Sequence, residues 1–168
     1  ACPEQVFRKI LHFASRGAMD IDGLGPAIIR QLIDQGMIRC AADLYELDFE
    51  KVALLEKMGI KSAENLRASI EKSKQRGMAA VLFALGISGV GQKAAEEIAA
   101  HFGSMEQLMQ ASREEISAVP GCGDIMATSI EGFFSNPSNR QMIQRLDQLG
   151  VVTKSTRQKL SARFEGLT

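Results

Sequence analysis

The sequence predicts an all-α fold built from four copies of one short helical unit, and three observations carry that reading. The first is composition. Aromatics are only 5%, there is no Trp and Pro is only four, while Ala, Leu and Ile dominate the apolar residues. That mixture favours helices over strands. The second is a glycine-anchored pattern repeated four times. The third is a longer repeat that groups the four copies into two pairs.

The anchors are Gly25, Gly59, Gly91 and Gly123, spaced 34, 32 and 32 residues apart. One position earlier stand Leu24, Met58, Val90 and Cys122; two earlier, Gly23, Lys57, Gly89 and Gly121; four earlier, Ile21, Leu55, Ile87 and Val119. Four positions after the anchor come Ile29, Ala63, Ala95 and Ala127, and seven after it Leu32, Leu66, Ile98 and Ile130. Each copy reads as an apolar residue ending one helix, a tight turn that needs the positive φ glycine tolerates, and a second helix starting at once. The +4 and +7 residues share one face of that second helix and pack back on the first. The unit is a helix–hairpin–helix, with copies near 18–36, 52–76, 84–102 and 116–134.

The pairing comes from an offset of 64. Leu44, Leu47, Asp48, Val52, Leu55 and Gly59 match Leu108, Ala111, Ser112, Ile116, Val119 and Gly123. Gly25 and Gly91 match at 66, so a two-residue indel separates the copies. The expected domain therefore covers 6–152 as two duplicated pairs of hairpins. Ahead of it, Val6, Phe7, Ile10, Leu11 and Phe13 lie at helical spacing. Gly36, Gly77, Gly86, Gly103 and Gly150 are placed to end helices. Ser104-x-x-Gln107 and Ser112-x-x-Glu115 have the form of capping boxes. Asn136-Pro137 opens the last helix, and Val151–Thr153 is expected to be extended.

Composition and charge exclude several classes. With 45% hydrophobic and 24% charged residues a packed core is expected and wholesale disorder is not. No apolar run reaches the ~20 residues of a membrane span, and no signal peptide opens the chain. Cys2, Cys40 and Cys122 are too far apart for a Cys-x-x-Cys metal pair, which points to a reducing compartment. Net charge is zero, against a broad basic field. It is unevenly spread: 12 basic and 11 acidic residues in 1–77, 4 and 8 in 78–152, and 4 and 1 in 153–168.

A neutral protein can still hold nucleic acid. A helix N-terminus exposes unpaired N–H groups and the positive end of the dipole, and a glycine turn lets an anion approach the backbone. Four such sites could follow a DNA backbone without reading its sequence. The candidate contacts are Gly23, Leu24 and Gly25; Lys57, Met58, Gly59 and Lys61; Gly89, Val90, Gly91 and Lys93; and Gly121 with Gly123. Hairpins two and three are expected to be strongest, because they add Lys57, Lys61 and Lys93. Pro26 removes an N–H from hairpin one, where Asp22 precedes the turn. Asp124 is expected to cap its own helix in hairpin four and repel phosphate. A single such turn is usually a plain helix cap; four in register favour a binding role. The competing reading is a helical scaffold that docks other domains or a partner protein.

Other residues offer less. His12 and His101 lack partners for catalysis and are expected on helix surfaces or half-buried. Glu96-Glu97 reads as a solvated helix face, and the run Glu71–Arg76, with Lys72, Lys74 and Arg76, as a solvated helix end, with contact to a nucleic-acid backbone as the alternative. The eight methionines read as core filler. No Walker loop, Gly-x-Ser-x-Gly or His-Glu-x-x-His is present.

Longer stretches carry a specific resemblance. Cys2-Pro3, His12-Phe13-Ala14-Ser15-Arg16 and Ala18-Met19-Asp20-Ile21-Asp22-Gly23-Leu24-Gly25 resemble bacterial NAD-dependent DNA ligase. So do Ala42-Asp43-Leu44-Tyr45, Met58-Gly59 with Lys61-Ser62-Ala63-Glu64-Asn65, and Phe83-Ala84-Leu85-Gly86-Ile87. The resemblance implies that Cys2 is the last ligand of a zinc finger whose tail is residues 1–5, and that 153–168 is a linker followed by the start of a BRCT domain, entered at Phe164–Thr168. It implies NAD, zinc and magnesium for a full-length enzyme and no cofactor for this part. It implies a non-catalytic module contacting double-stranded, nicked DNA from the minor groove during replication and repair, in the cytoplasm at the nucleoid, beside the other domains of the same ligase. The family's adenylated lysine lies in Lys-x-Asp-Gly, whereas Asp22-Gly23 follows Asp20 here, so the chain is expected not to ligate. Lys57, where a hairpin glycine is usual, departs from the pattern. A base-excision glycosylase, with one hairpin and a catalytic aspartate, fits less well than a fourfold array.

Overall fold

Apolar residues at helical spacing, punctuated by glycine turns, generate ten α-helices and one 3-10 helix among residues 3–153, which the computed structural model describes. They are α1 (Pro3–Phe13), α2 (Pro26–Asp34), the 3-10 helix Ala41–Glu46, α3 (Phe49–Val52), α4 (Ile60–Ser73), α5 (Met78–Ala84), α6 (Gln92–Phe102), α7 (Met105–Gln110), α8 (Arg113–Ser117), α9 (Asp124–Ser135) and α10 (Pro137–Gln148). No β-strand occurs among the described residues. The remnant expected at Cys2 and the linker and onward domain expected in 154–168 lie outside the described residues. Pro3, Glu4 and Gln5 form the first turn of α1.

The duplication is visible element by element. The 3-10 helix Ala41–Glu46 and α7 occupy the same register at the offset of 64, and Asp48 and Ser112 both cap the helix that follows. Each cap accepts a backbone N–H two or three residues on, from Glu50 at 3.1 Å and Glu115 at 3.2 Å. Ser112 and Glu115 complete a reciprocal capping box. Ser104 makes only half of one, accepting from the Gln107 N–H. Asn136 caps α10, with Pro137 at the first helical position where no donor is needed.

Packing follows the aligned columns. The +4 residues Ile29, Ala63, Ala95 and Ala127 and the +7 residues Leu32, Leu66, Ile98 and Ile130 are all buried. The small +4 side chains let α4, α6 and α9 approach their partners, and α5 packs on α6 as α8 does on α9. Met19, Met78 and Met105 are fully buried and the other five methionines lie against the same core. Buried Ser73 donates to the Ile70 carbonyl at 2.6 Å, so the Tyr45 hydroxyl, 2.8 Å away, is the donor in their shared bond. Burial, helped by the Glu71 charge, pushes the Tyr45 hydroxyl up to about 12.

Three details differ from the sequence reading. The apolar −4 residue does not end a helix. Leu55, Ile87 and Val119 lie in the turn past α3, α5 and α8, because the reversal itself uses their carbonyls. Hairpin one has no leading helix beside its turn: residues 14–25 are loop and turn, and α1 packs on α2 from further upstream. Gly77 does not end α4. It is the residue before α5, with φ 100°, where the chain re-enters a helix.

The first and last helices close the array. His12 Nε2 lies 2.8 Å from the Phe83 carbonyl, its ring against that of Phe83. Residues Val151–Thr153 are tied at both ends: the Val152 N–H donates to the Lys74 carbonyl at 2.8 Å, and Thr153 accepts from the Met105 N–H at 2.9 Å. Arg145 on α10 reaches the 3-10 helix, bonding Asp43 at 2.6 Å and pairing with Glu46. Burial raises the Asp43 carboxyl, but the Arg39 and Cys40 amides and the Arg145 charge outweigh it, and the group sits below the usual carboxylate range. A lowered folded-state pKa contributes stability above the ordinary value of about 4 that is lost as pH falls through the folded value. Asp43→Asn should lower stability by about 1–2 kcal/mol at neutral pH. It should also flatten the loss of stability below about pH 4, as read by chemical denaturation across pH.

Candidate nucleic-acid interface

The four turns share a left-handed residue two positions before the anchor. In hairpins two, three and four the turn closes through a bond from the −1 amide to the −4 carbonyl: Met58 to Leu55 at 3.1 Å, Val90 to Ile87 at 3.0 Å and Cys122 to Val119 at 3.0 Å. The −2 residue is left-handed in all four, with φ 86° at Gly23, 65° at Lys57, 81° at Gly89 and 84° at Gly121. Positive φ at the third position marks a type II turn, and Pro120 supplies the preferred second residue in hairpin four. The positive φ is thus required at the −2 residue. The anchor itself is extended at Gly25, Gly91 and Gly123, with φ −84°, −91° and −93°, and positive only at Gly59.

Neither backbone geometry nor the protein's own packing demands glycine at those three extended anchors. A Cβ built on Gly25, Gly91 or Gly123 meets nothing within 4 Å. The anchors are exposed, while the −1 residues Leu24, Val90 and Cys122 turn inward and are buried; Met58 is half-buried. Each anchor is the N-cap residue of its helix without a side-chain cap, and the first intrahelical bond returns to its carbonyl from Ile29, Ala63, Ala95 or Ala127 at 3.0 Å. The amides in between have no partner in their helix. In contrast, α3, α7, α8 and α10 carry Asp48, Ser104, Ser112 and Asn136 as side-chain caps. Helix α5 also starts uncapped, but its Gly77 is buried.

The hairpins differ in charge. Lys57, Lys61 and Lys93 are exposed and none takes part in an ion pair among the described residues. Pro26 is the first residue of α2 and leaves that helix one donor short. Asp124 does not cap α9, because Gly123 already occupies the N-cap and Asp124 is the first helical residue. Its carboxylate sits in the first turn, where it favours the helix dipole and opposes an arriving anion. Burial, helped by Glu97, pushes the Cys122 thiol up, consistent with its role as a small apolar side chain.

Lys57 stands in a conformation that favours glycine. Lys57→Gly should raise stability by about 1 kcal/mol by relieving the left-handed strain. A thermal melt checks it.

Sequence reasoning missed one feature. Leu54, Ile60 and Ile125 are 86%, 74% and 87% exposed, and all three flank hairpins two and four. They fall outside the aligned columns; a large apolar side chain beside a turn, where no core periodicity calls for one, was the available signal. Among the described residues no group of three or more His, Cys, Asp or Glu side chains is arranged to hold a metal ion. No helix among them is long and apolar enough to cross a membrane.

Comparison with known proteins agrees with the geometry. The family described as SAM-like helix-hairpin-helix tandem matches residues 16–72, and the helix-hairpin-helix motif family matches 80–143. A DNA ligase of Heliobacterium modesticaldum is 56% identical over 151 residues, covering 90% of this chain and 22% of that protein. A DNA ligase of Carboxydothermus hydrogenoformans is 48% identical over 168 residues, 100% of this chain and 25% of the relative. One from Koribacter versatilis is 41% identical over 167 residues, with 99% and 25% covered. The chain spans about a quarter of the length of the curated relatives it matches. With four hairpins in two matched pairs and this similarity along nearly its whole length, the chain belongs to the helix-hairpin-helix domains of DNA ligases.

Proposed function

We propose that this chain is a non-catalytic module that holds double-stranded DNA by its phosphate backbone, without reading sequence, while the parent ligase seals a nick. One observation carries the reading: exposed anchor glycines whose side-chain space is open, ahead of helix amides with no partner. Glycine there is explained by the close approach of something outside the protein. A phosphate group fits, because it accepts from backbone N–H groups and is attracted by the helix dipole. The contacts are Gly23–Gly25, Lys57–Gly59 with Lys61, Gly89–Gly91 with Lys93, and Gly121 with Gly123. Hairpins two and three dominate through their lysines. Leu54, Ile60 and Ile125 support an approach from the minor groove, where apolar side chains commonly meet the sugar and base edges.

In this reading the reactive chemistry belongs to other parts of the ligase. NAD would supply the adenylate, magnesium would assist the transfer, and zinc would be held with the help of Cys2. The chain's partners are nicked duplex DNA and the other domains of the same ligase, in the cytoplasm at the nucleoid. Fluorescence anisotropy with nicked and intact duplexes across a salt series tests the core claim. Log affinity should fall linearly with log salt, with a slope of about 0.9 for each phosphate engaged. Affinity should be the same for unrelated sequences. Absence of binding at low salt, together with salt-resistant capture of another ligase domain, would replace this reading with the scaffold one.

A further inference from the structure

The loop that replaces hairpin one's leading helix reaches the opposite half of the array. Arg16 and Gly17 on this loop, Arg76 beyond α4, and Gln92 and Glu96 on α6 line one cleft of about 470 Å³. The contact is close: a Cβ on Gly17 would lie 1.8 Å from the Gln92 amide nitrogen. Gln92 is the residue after the Gly91 anchor, so the cleft opens beside hairpin three.

Arg76 is held in place without a carboxylate. Its Nε donates to the Ala18 carbonyl at 3.2 Å and its Nη2 to the Arg16 carbonyl at 3.5 Å. A guanidinium has five donors, so several remain for a ligand, and its charge is not neutralised by those carbonyls. Arg16 and Arg76 are both exposed and neither belongs to an ion pair among the described residues. Glu96, one helical turn beyond Gln92, is the single acidic residue lining the cleft, leaving it with two cations and one anion.

We infer that Arg16 and Arg76 form a second phosphate-binding position beside hairpin three, built jointly by the two halves of the array. This rests on the duplex-DNA reading above and extends it from backbone amides to a specific pair of side chains. Arg76 is pre-positioned by its two carbonyl bonds, so less side-chain freedom is lost when a phosphate arrives. Arg16 comes from a loop in the first half, Arg76 from the junction between halves, and the adjoining hairpin from the second half. A phosphate held there couples the two pairs of hairpins to one strand.

The test compares Arg16→Gln, Arg76→Gln and the double variant with the parent chain, using fluorescence anisotropy and an intact duplex across a salt series. Arg39→Gln serves as control, because it removes the same charge from a cavity that no hairpin anchor lines. Each cleft variant should bind about 3–10-fold more weakly, and the double variant should lower the log–log salt slope by about 1–2. Glu96→Gln should move the other way and tighten binding about 2–3-fold, a gain that damage to the fold would not produce. Melting curves separate folding from binding, since Arg16→Gln removes no hydrogen bond made by its side chain. Hairpin-dependent binding with an unchanged affinity and slope in the double variant would overturn this inference and leave the hairpin reading standing. An equal loss in Arg39→Gln would overturn it too, by reducing it to general charge. A parent chain that does not bind duplex at low salt would overturn both.

Discussion

Gly91→Leu should bind duplex DNA at least about tenfold more weakly than the parent chain while melting within about 2 °C of it. The two halves of that expectation come from different observations. The fold should tolerate the change because Gly91 has an extended backbone that any residue adopts, and its Cβ direction is empty to 4 Å. Binding should not tolerate it, because the added side chain fills the space through which a phosphate would reach the α6 amides. A hydrogen bond to a charged group is worth about 1.5–3 kcal/mol, or roughly 10–150-fold in affinity. Gly89→Leu is the instructive comparison. At φ 81° it also forces a side chain into the left-handed region, so it should lose about 1–2 kcal/mol of stability as well. Anisotropy and a thermal melt on the same samples check both. Unchanged DNA binding by folded Gly91→Leu would refute the hairpin mechanism.

Leu66→Ala should cost about 3 kcal/mol and lower the melting temperature by roughly 6–12 °C. Leu66 is fully buried on α4, at the +7 position of hairpin two. It packs on hairpin one as well: a Cβ on Gly23 would meet Leu66 atoms at 3.9–4.0 Å. Truncation therefore opens a cavity where the two hairpins of the first pair meet, and neither can collapse into it without shifting its turn. Denaturant unfolding measures the loss. A cost below about 1 kcal/mol would mean that the first pair is not held together through this contact.

Much of this was legible in the residues. The buried +4 and +7 columns, the anchors, the offset of 64 and the caps at Ser112 and Asn136 all follow from local rules: helical periodicity, the chemistry of N-capping and the conformational cost of positive φ. The location of that positive φ was only half legible. Two glycines in each of three turns gave no way to tell which one the backbone requires, and Lys57 resolves the ambiguity, since a lysine accepts the left-handed conformation at the −2 position. The expected cap by Asp124 failed because Gly123 had already taken the N-cap, a one-residue shift that periodicity cannot locate.

By itself the sequence determined the repeat, the helical class and the positions of the hairpins, because each depends on residues within about ten of one another. Only the tertiary structure decided that the space beside Gly25, Gly91 and Gly123 is empty, that Arg145 ties α10 to the 3-10 helix, and that Arg16 and Arg76 share a cleft with Gln92. Arg16 and Arg76 are 60 positions apart, and Asp43 and Arg145 are 102 apart. No local periodicity encodes such contacts; they arise when buried faces of separate helices exclude water together and carry the intervening turns to one surface.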